Sequence, residues 1–381
     1  MRPESDAWNR ALTGEPDGLS RIDTPSLVLD LDAFEANVAT MARLARERGI
    51  GLRPHAKTHK CASIARRQLQ AGAVGLCCAK LGEAEALAAE GIEPLLITAP
   101  VSAESKIARL IALNARVRGL AVVVEEPENV KALGEAAAAA GQTLDVLIVN
   151  DVGSHRFGVP TVEAAVELGR LIAEQPALRL GGIQGYAGRI QHITGYEERR
   201  LLSRSAAAHL GAVRDALREA GLPCPVVTGA GTGTHDFDHE GGVFTDLQVG
   251  SYIFMDADYD AVALTPDGSR RFSNALFVLT RVTSCQHDGF ATTDAGSKCF
   301  ALDGPPPRIA RGAPQASRYG MFGDQFGKVE LPDGGRLPVG TLLTVVPSHC
   351  DPTVNLYDAI VCVRGGKVEA IWPIEGRGRT D

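Results

Sequence analysis

Short apolar runs alternate with longer helical stretches between residues 50 and 255. The stretches are rich in Ala, Leu and Glu, carry apolar side chains at helical spacing and have Gly or Pro at an end, as in TVEAAVELGRLIAEQP. The apolar runs are residues 51–55, 75–79, 95–98, 120–124, 146–150, 183–186, 226–228 and 247–252. Continuous apolar runs indicate strands buried on both faces, so these eight units predict an α/β fold with a closed (β/α)₈ barrel of the TIM type.

The pattern changes after residue 260. Strand-like runs separated by Gly, Pro and Asp turns replace the helical stretches, at residues 275–280, 336–346, 359–363 and 367–372. A further apolar run, Ser26–Asp30, precedes the barrel. The sequence therefore predicts a second, mostly β domain at the C-terminal end of the chain.

Composition and charge narrow the range of functions. Of the 381 residues 45% are hydrophobic and 22% are charged, which is typical of a folded globular protein. Lys and Arg number 39 and Asp and Glu 46, a net charge of −7, and no dense basic stripe is present, so nucleic acid is not an expected partner. We also expect no membrane association, because no signal peptide or stretch of about 20 apolar residues is present. The eight cysteines, Cys77 and Cys78 among them, are expected to be buried thiols of a cytoplasmic protein.

Residues suited to chemistry follow the predicted strands, where TIM barrels hold their active sites. Lys57 follows the first strand, and a lysine walled in there can acquire the lowered pKa that Schiff-base formation needs; the alternative is a solvated surface charge. Arg156, Tyr186 and His192 follow later strands and supply a guanidinium, a phenol and an imidazole. Together they indicate an active site at the barrel mouth.

A glycine- and threonine-rich loop, residues 228–234, follows the seventh strand. Its bare backbone N–H groups and hydroxyls suit one phosphate group, and Gly250 and Ser251 add donors after the eighth strand. The alternative is a plain glycine turn.

His349, Cys350 and Asp351 follow an apolar run of the β domain. In extended backbone, residues two apart face the same side, so His349 and Asp351 are expected to converge while Cys350 points away. Such a pair is half of a divalent metal site, with nitrogen and oxygen donors for Mn²⁺, Co²⁺, Mg²⁺ or Zn²⁺. A structural histidine is the alternative.

These stretches resemble fold-type III pyridoxal-phosphate enzymes, and within them the family of metal-activated D-threonine aldolases, 3-hydroxyaspartate aldolases and eukaryotic-type D-serine dehydratases. The matching stretches are RPHAKTHK, DVGSHRFGV, YAGRIQH, TGAGTG, LQVGSYIFMDADY, DAG at 294–296 and VPSHCDPTVNLYD. The resemblance implies an alanine-racemase-like fold with a barrel over residues 31–260. It also implies a β domain over residues 261–381 that pairs with residues 1–30, and a homodimer.

The resemblance assigns roles to residues of this chain. Lys57 matches the lysine that holds pyridoxal 5′-phosphate, and Arg156 matches the arginine that faces the pyridine nitrogen. The residues matched to binding of the cofactor and its phosphate are Tyr186, Thr232, Gly250 and Ser251. His349 and Asp351 match the metal ligands, and this harder pair favours the aldolase branch over the dehydratase branch, which resembles His-x-Cys.

The implied function is pyridoxal-phosphate- and metal-dependent cleavage of small-molecule D-β-hydroxy-α-amino acids, such as D-threonine, to glycine and an aldehyde, with His192 as candidate base. One alternative is a dehydratase that gives a 2-oxo acid and ammonia. A racemase is disfavoured because no tyrosine lies between Tyr259 and Tyr319. A cofactor carrier without turnover is disfavoured by the β domain and its metal pair.

Three departures from the relatives bear on the substrate, and the first is that residues 155–158 stand where many relatives have Gly-Arg-Cys-Gly. The segment at residues 324–327 lacks the Glu-His pair of many relatives, and Arg189 stands where they have a small residue. If Arg189 faces the pocket, it can pair with a carboxylate and favour acidic substrates such as 3-hydroxyaspartate; the alternative is an exterior side chain.

Overall fold

The computed structural model describes residues 3–381, and their side chains from residue 7 onward. The helices are α1 (Pro3–Ala11), α2 (Gly18–Arg21), α3 (Leu31–Glu47), α4 (Ala62–Gln70), α5 (Leu81–Ala89), α6 (Glu104–Asn114), α7 (Pro127–Ala139), α8 (Val162–Ala173), α9 (Tyr196–Glu219) and α10 (Cys350–Val354). The first nine strands are β1 (Ser26–Asp30), β2 (Gly51–Leu52), β3 (Leu76–Cys78), β4 (Leu95–Ile97), β5 (Ala121–Val124), β6 (Leu144–Val149), β7 (Leu178–Gly185), β8 (Val226–Gly229) and β9 (Asp246–Leu247). The others are β10 (Leu276–Ser284), β11 (Phe290–Thr293), β12 (Arg308–Arg311), β13 (Arg318–Met321), β14 (Gly327–Glu330), β15 (Leu342–Val346), β16 (Ala359–Arg364) and β17 (Lys367–Pro373).

The eight strands β2 to β9 form one parallel sheet in the order β2-β9-β8-β7-β6-β5-β4-β3. The sheet closes because an isolated parallel bridge joins His55, just after β2, to Cys77 of β3. The carbonyl oxygen of Pro54 accepts a hydrogen bond of 2.8 Å from the N–H of Cys77 at this seam. The predicted barrel, with a separate mostly β domain, is confirmed.

The barrel strands are buried on both sides, as their apolar runs predict. In β6, Val146 and Ile148 pack against the outer helices, whereas Leu147 and Val149 belong to a smaller inner cluster. The outer helices bury one face at helical spacing. In α8 the hydroxyl of Thr161 accepts a hydrogen bond of 3.1 Å from the N–H of Ala164 and thereby caps the helix.

The second sheet carries the order β13-β14-β11-β10-β1-β16-β17, with β15 pairing to β10 and β12. β1 pairs antiparallel to β10 and parallel to β16, so the segment before the barrel lies within the C-terminal sheet. The run predicted at residues 336–346 is extended only over β15, because Pro338 and Gly340, with φ of +87°, form a turn before it. The domain boundaries at residues 30 and 260 stay a prediction.

The barrel and the second sheet share one apolar core. Phe34 of α3 and Tyr252 after β9 lie in the same buried cluster as Val278 of β10 and Cys350 of α10. This packing holds the start of α10 against the C-terminal ends of the barrel strands. The β domain is thereby placed to contribute residues to the barrel mouth.

Six cysteines are buried free thiols, namely Cys61, Cys77, Cys78, Cys224, Cys350 and Cys362. Within residues 3–381, no helix is both long enough and apolar enough to cross a membrane.

The pairing of β7 with β6 is interrupted by a bulge beside Gly182, and this bulge gives a test of the barrel geometry. Gly182 has φ of +140°, and a Cβ there would lie 2.0 Å from the carbonyl oxygen of Val226 in β8. Gly182→Ala is therefore expected to lower the free energy of unfolding by about 3 kcal/mol, measured by urea denaturation. The control is Gly181→Ala, whose Cβ would meet only ordinary contacts from 3.4 Å outward. Equal destabilisation by the two substitutions would contradict this packing.

Candidate active site

The 3₁₀ turn Ala56–Thr58 follows β2 and places Lys57 at the barrel mouth. Its Nζ donates a hydrogen bond to the carboxylate of Asp351, which comes from α10 of the β domain. Burial disfavours the charged amine, but the carboxylate outweighs burial and holds the pKa of Lys57 above its usual range. The lowered pKa expected from the sequence is therefore wrong for this arrangement, because desolvation is countered by an acid from a distant part of the chain.

A cavity of about 430 Å³ opens beside Lys57. The predicted site residues that line it are Lys57, Arg156, Tyr186, His192, Ser251 and His349. The other lining residues are His55, Ala79, Lys80, Thr98, Ala99, Phe157, Gln184, Gln248 and Tyr259. The ends of the barrel strands and the β domain therefore meet at one site.

Four predicted site residues lie off the cavity wall, and one of them, Asp351, pairs with Lys57. Thr232 is buried, and its hydroxyl accepts a hydrogen bond of 3.1 Å from the N–H of Tyr252. Gly250 precedes Ser251, and a Cβ at Gly250 would lie 2.6 Å from the Oγ1 of Thr58. Arg189 is exposed on the 3₁₀ turn Gly188–Ile190.

His55 is a neutral group of the site that the sequence analysis did not single out. Burial, followed by the charge of Lys57, lowers the pKa of His55 to about 3. Its Nδ1 accepts a hydrogen bond of 3.4 Å from the N–H of Lys57, so its Nε2 carries the proton and donates to the Oγ1 of Thr98 at 3.1 Å. The sequence feature that could have indicated His55 is its position two residues before Lys57, at the end of the same strand.

Buried amides form the floor of the cavity. The Nε2 of Gln184 donates to the Oε1 of Gln248 at 3.3 Å, and the Nε2 of Gln248 donates to the Oγ1 of Thr228 at 3.1 Å. The Thr228 hydroxyl in turn donates to Asp246, which pairs with Arg53. This chain crosses strands β7, β8 and β9, so no local sequence pattern announces it.

The loop after β6 presents Arg156 to the cavity. The Oδ1 of Asp151 accepts hydrogen bonds from the N–H groups of Gly153, Ser154 and His155 at 2.9, 2.9 and 3.0 Å. Burial of Asp151 opposes its ionisation, but these hydrogen bonds and His155 lower its pKa. One carboxylate thus fixes the backbone turn that precedes Arg156.

His192 lies on the cavity wall beside Asp258 and Tyr259. Its Nδ1 is 2.9 Å from the Oδ2 of Asp258, and its ring centroid is 4.5 Å from that of Tyr259. The imidazole of His192 thus lies between a carboxylate and a phenol ring at the cavity wall.

The backbone around His349 and Asp351 differs from the extended form assumed from the sequence. His349 is extended, with φ of −140°, but it caps α10, whose first turn contains Asp351 and Pro352. Proline suits a first helical turn, and the Oγ1 of Thr353 donates to the carbonyl of His349 at 2.7 Å. The extended arrangement is therefore wrong, although His349 lines the cavity and Asp351 pairs with Lys57.

The donor set at this point suits a metal with few protein ligands. Within residues 3–381, no three His, Cys, Asp or Glu side chains converge as a metal site. The Nδ1 of His349 contacts the Oδ2 of Asp303 at 2.9 Å, which leaves Nε2 free, as in metal-bound imidazoles oriented by a carboxylate. Burial opposes ionisation of Asp351, but the charges of Lys57 and His349 hold its pKa well below the usual range. Asp351 therefore supplies an ionised oxygen donor.

Gln191 joins the segment that carries Tyr186 and His192 to the glycine loop after β8. It is buried, and its Oε1 accepts a hydrogen bond of 2.9 Å from the N–H of Gly233. Its Nε2 donates to the Oγ1 of Thr234 at 3.1 Å. A Cβ at Gly233 would lie 2.0 Å from the carbonyl oxygen of Gln191, so the loop needs glycine for this close approach.

Comparison with known proteins places this site in a family. The family model described as "Alanine racemase, N-terminal domain" matches residues 29–258, and "Putative serine dehydratase domain" matches residues 275–363. A D-threonine aldolase of Arthrobacter sp. is 43% identical over 97% of this chain and 96% of its own length. This chain belongs to the D-threonine aldolase family.

Other members agree with this family assignment. The 3-hydroxy-D-aspartate aldolase of Paracoccus denitrificans (strain Pd 1222) is 40% identical over 94% of this chain and 93% of its own. The crystal structure of D-threonine aldolase from Filomicrobium marinum has a TM-score of 0.91 and 41% identity, covering 95% of this chain and 97% of that chain. A D-threo-3-hydroxyaspartate dehydratase of Delftia sp. is more distant, at 29% identity over 90% of this chain and 94% of its own. The resemblance stated from the motifs is confirmed.

Substitution of Gln191 tests whether its hydrogen bonds to the glycine loop shape the cofactor site. Gln191→Ala leaves the N–H of Gly233 without its acceptor and the Oγ1 of Thr234 without a donor, and is expected to raise the dissociation constant for pyridoxal 5′-phosphate about tenfold. The measurement is titration of the cofactor-free protein followed by absorbance, with the exposed Gln286→Ala in the β domain as control. An unchanged dissociation constant for Gln191→Ala would show that this clamp does not shape the cofactor site.

Proposed function

We propose that this protein is a carbon–carbon lyase that cleaves D-β-hydroxy-α-amino acids to glycine and an aldehyde, using pyridoxal 5′-phosphate and a divalent metal. The observation that carries the proposal is that Lys57 and His349, from opposite ends of the chain, line one cavity, and that Asp351 pairs with Lys57 beside it. An amine for the cofactor and two donors for a metal thus share one substrate-sized space.

The residues of the mouth fit the cofactor. Lys57 would be the attachment point, Arg156 would lie on the side of the pyridine nitrogen, and Tyr186, Thr232, Gly250 and Ser251 would hold the rest of the cofactor and its phosphate. The buried Oγ1 of Thr58, which has no hydrogen-bond partner, lies against Gly250 where only a glycine leaves room. When bound, pyridoxal phosphate supplies an electron sink for the carbanion formed at Cα.

The metal is proposed to bind the Nε2 of His349 and the carboxylate of Asp351. Imidazole and carboxylate donors suit Mn²⁺, Co²⁺, Mg²⁺ or Zn²⁺, and we propose manganese among them. When bound, the metal lowers the pKa of the substrate's β-hydroxyl. Asp303 orients the imidazole through its contact with Nδ1.

The chain's own residues then handle the protons. His192 accepts the β-hydroxyl proton, and Asp258 stabilises the resulting imidazolium at 2.9 Å. Loss of this proton lets the C–O bond become a carbonyl while the bond between Cα and Cβ breaks, which releases the aldehyde. One proton delivered to Cα completes glycine, so the reaction balances without an oxidant or reductant.

Assembly and location follow from the same proposal. We propose that the protein is a cytoplasmic homodimer. It binds a small-molecule substrate and does not bind nucleic acid or a membrane. The six buried thiols support a reducing compartment, and the net charge of −7 argues against nucleic acid.

Product analysis tests the reaction directly. D-Threonine with the cofactor-loaded enzyme and Mn²⁺ is expected to give glycine and acetaldehyde in equal amounts, and chelation is expected to lower the rate about 100-fold or more until metal returns. Products are identified by proton NMR. Formation of 2-oxobutyrate and ammonia would show the dehydratase alternative instead, and cleavage indifferent to chelator would remove the metal from the reaction.

Lys57→Ala tests the attachment point. Its activity is expected to fall at least about 1,000-fold, because the rival Lys60 is buried with its Nζ 3.3 Å from the Oε1 of Glu83 and 3.0 Å from the Oδ1 of Asn355. Borohydride reduction of the wild-type enzyme and peptide mapping should place the pyridoxyl group on Lys57. A label on Lys60 or Lys80 would contradict the assignment. The exposed Lys131→Met is the control substitution.

A further inference from the structure

The cavity wall carries more positive charge than its own residues neutralise. Lys57, Lys80 and Arg156 line it, and no Asp or Glu is among the described residues of the wall. Asp351, which pairs with Lys57, is the proposed metal ligand and is not a partner of Lys80. Lys80 therefore lines the cavity without a carboxylate of its own.

The backbone that carries Lys80 is firmly held. Lys80 ends the segment after β3 and caps α5, and the Oε2 of Glu83 accepts hydrogen bonds from the N–H groups of Ala79 and Lys80 at 2.7 and 3.3 Å. The Oε1 of Glu83 pairs with Lys60, and these two residues are only 4% and 6% exposed. Glu83 thus fixes the position of Lys80 while its own charge is used by Lys60.

The side chain of Lys80, by contrast, is free. Lys80 is exposed, and among the side chains that the structure describes it forms no ion pair. Lys80 thus combines a fixed backbone position on the cavity wall with a side chain that takes no part in an ion pair of the fold.

The strand order indicates whether Lys80 would lie near the cofactor or near the substrate. The closed barrel places β2, which precedes Lys57, between β9 and β3. Gly250 and Ser251, proposed for the cofactor phosphate, follow β9, whereas Lys80 follows β3. Lys80 and the phosphate segment therefore lie on opposite sides of Lys57, and a cofactor that reaches from Lys57 toward Ser251 leaves Lys80 to the substrate.

We propose that Lys80 binds a carboxylate of the substrate and is a specificity-determining residue of this site. The inference rests on the proposed function for the position of the cofactor. The carboxylate is either the one on Cα, shared by every amino-acid substrate, or a second one on the β-carbon, as in 3-hydroxyaspartate. Arg189, expected from the sequence as a carboxylate ligand, lies off the cavity wall, so Lys80 takes that role.

The test uses amino acids that bind but carry no β-hydroxyl. The cofactor-loaded wild type, Lys80→Met, Lys80→Arg and the exposed control Lys131→Met are titrated with D-alanine and D-aspartate, and the absorption change of the cofactor gives dissociation constants. Lys80→Met is expected to raise a dissociation constant about tenfold, with Lys80→Arg within about threefold of wild type. Equal losses for both ligands identify the carboxylate on Cα, and a loss for D-aspartate alone identifies the second carboxylate.

Wild-type dissociation constants in Lys80→Met for both ligands would overturn the inference. So would a loss in Arg189→Ser with none in Lys80→Met. Because neither ligand can undergo aldol cleavage, these outcomes are separate from failure of the proposed function, which shows as absence of glycine and acetaldehyde from D-threonine. Lys80→Gln serves as a second neutral variant if Lys80→Met does not hold the cofactor.

Discussion

The ion pair between Lys57 and Asp351 joins the two halves of this protein. One partner follows the first barrel strand and the other begins a short helix of the β domain, so the pair forms only when both units are folded and packed. Asp351 is largely buried, at 11% exposure, and removing one partner of such a pair leaves an uncompensated charge. The contact therefore couples the position of the β domain to the position of the reactive amine.

The parallel barrel explains why so many functional groups meet there. Parallel strands all end at one face, so residues that follow β2, β3, β6, β7 and β9 converge, although more than 190 residues separate Lys57 from Ser251 along the chain. The β domain adds His349 from above. Its own strand β1 comes from before the barrel, which ties the N-terminal segment to the same sheet.

Much of this could be read from the sequence, because eight continuous apolar runs with helices between them leave few architectures open. The strand-end positions of Lys57, Arg156, Tyr186 and His192 followed from the same count. The helical start at His349 was missed because a five-residue helix leaves little periodic pattern, and Pro352 favours a helix only at its first turn. The raised pKa of Lys57 was missed because it depends on Asp351, whose proximity is a property of domain packing.

The remaining gaps have the same origin. Gln191 and His55 lie inside recognisable motifs, yet their roles depend on hydrogen bonds to Gly233 and Thr98, in the segments that follow other strands. Arg189 was ambiguous for the opposite reason, since a charged residue beside a motif can face either way, and the turn Gly188–Ile190 directs it outward. Long-range contacts decide these cases.

The central claim is that the lysine and the metal pair serve one cavity. Anomalous diffraction at the manganese absorption edge, from crystals of the cofactor-loaded enzyme grown with Mn²⁺, tests it most directly. The account predicts one manganese ion bound by His349 and Asp351 in the cavity that holds the cofactor on Lys57. Manganese bound elsewhere, with that pair free of metal, would contradict it.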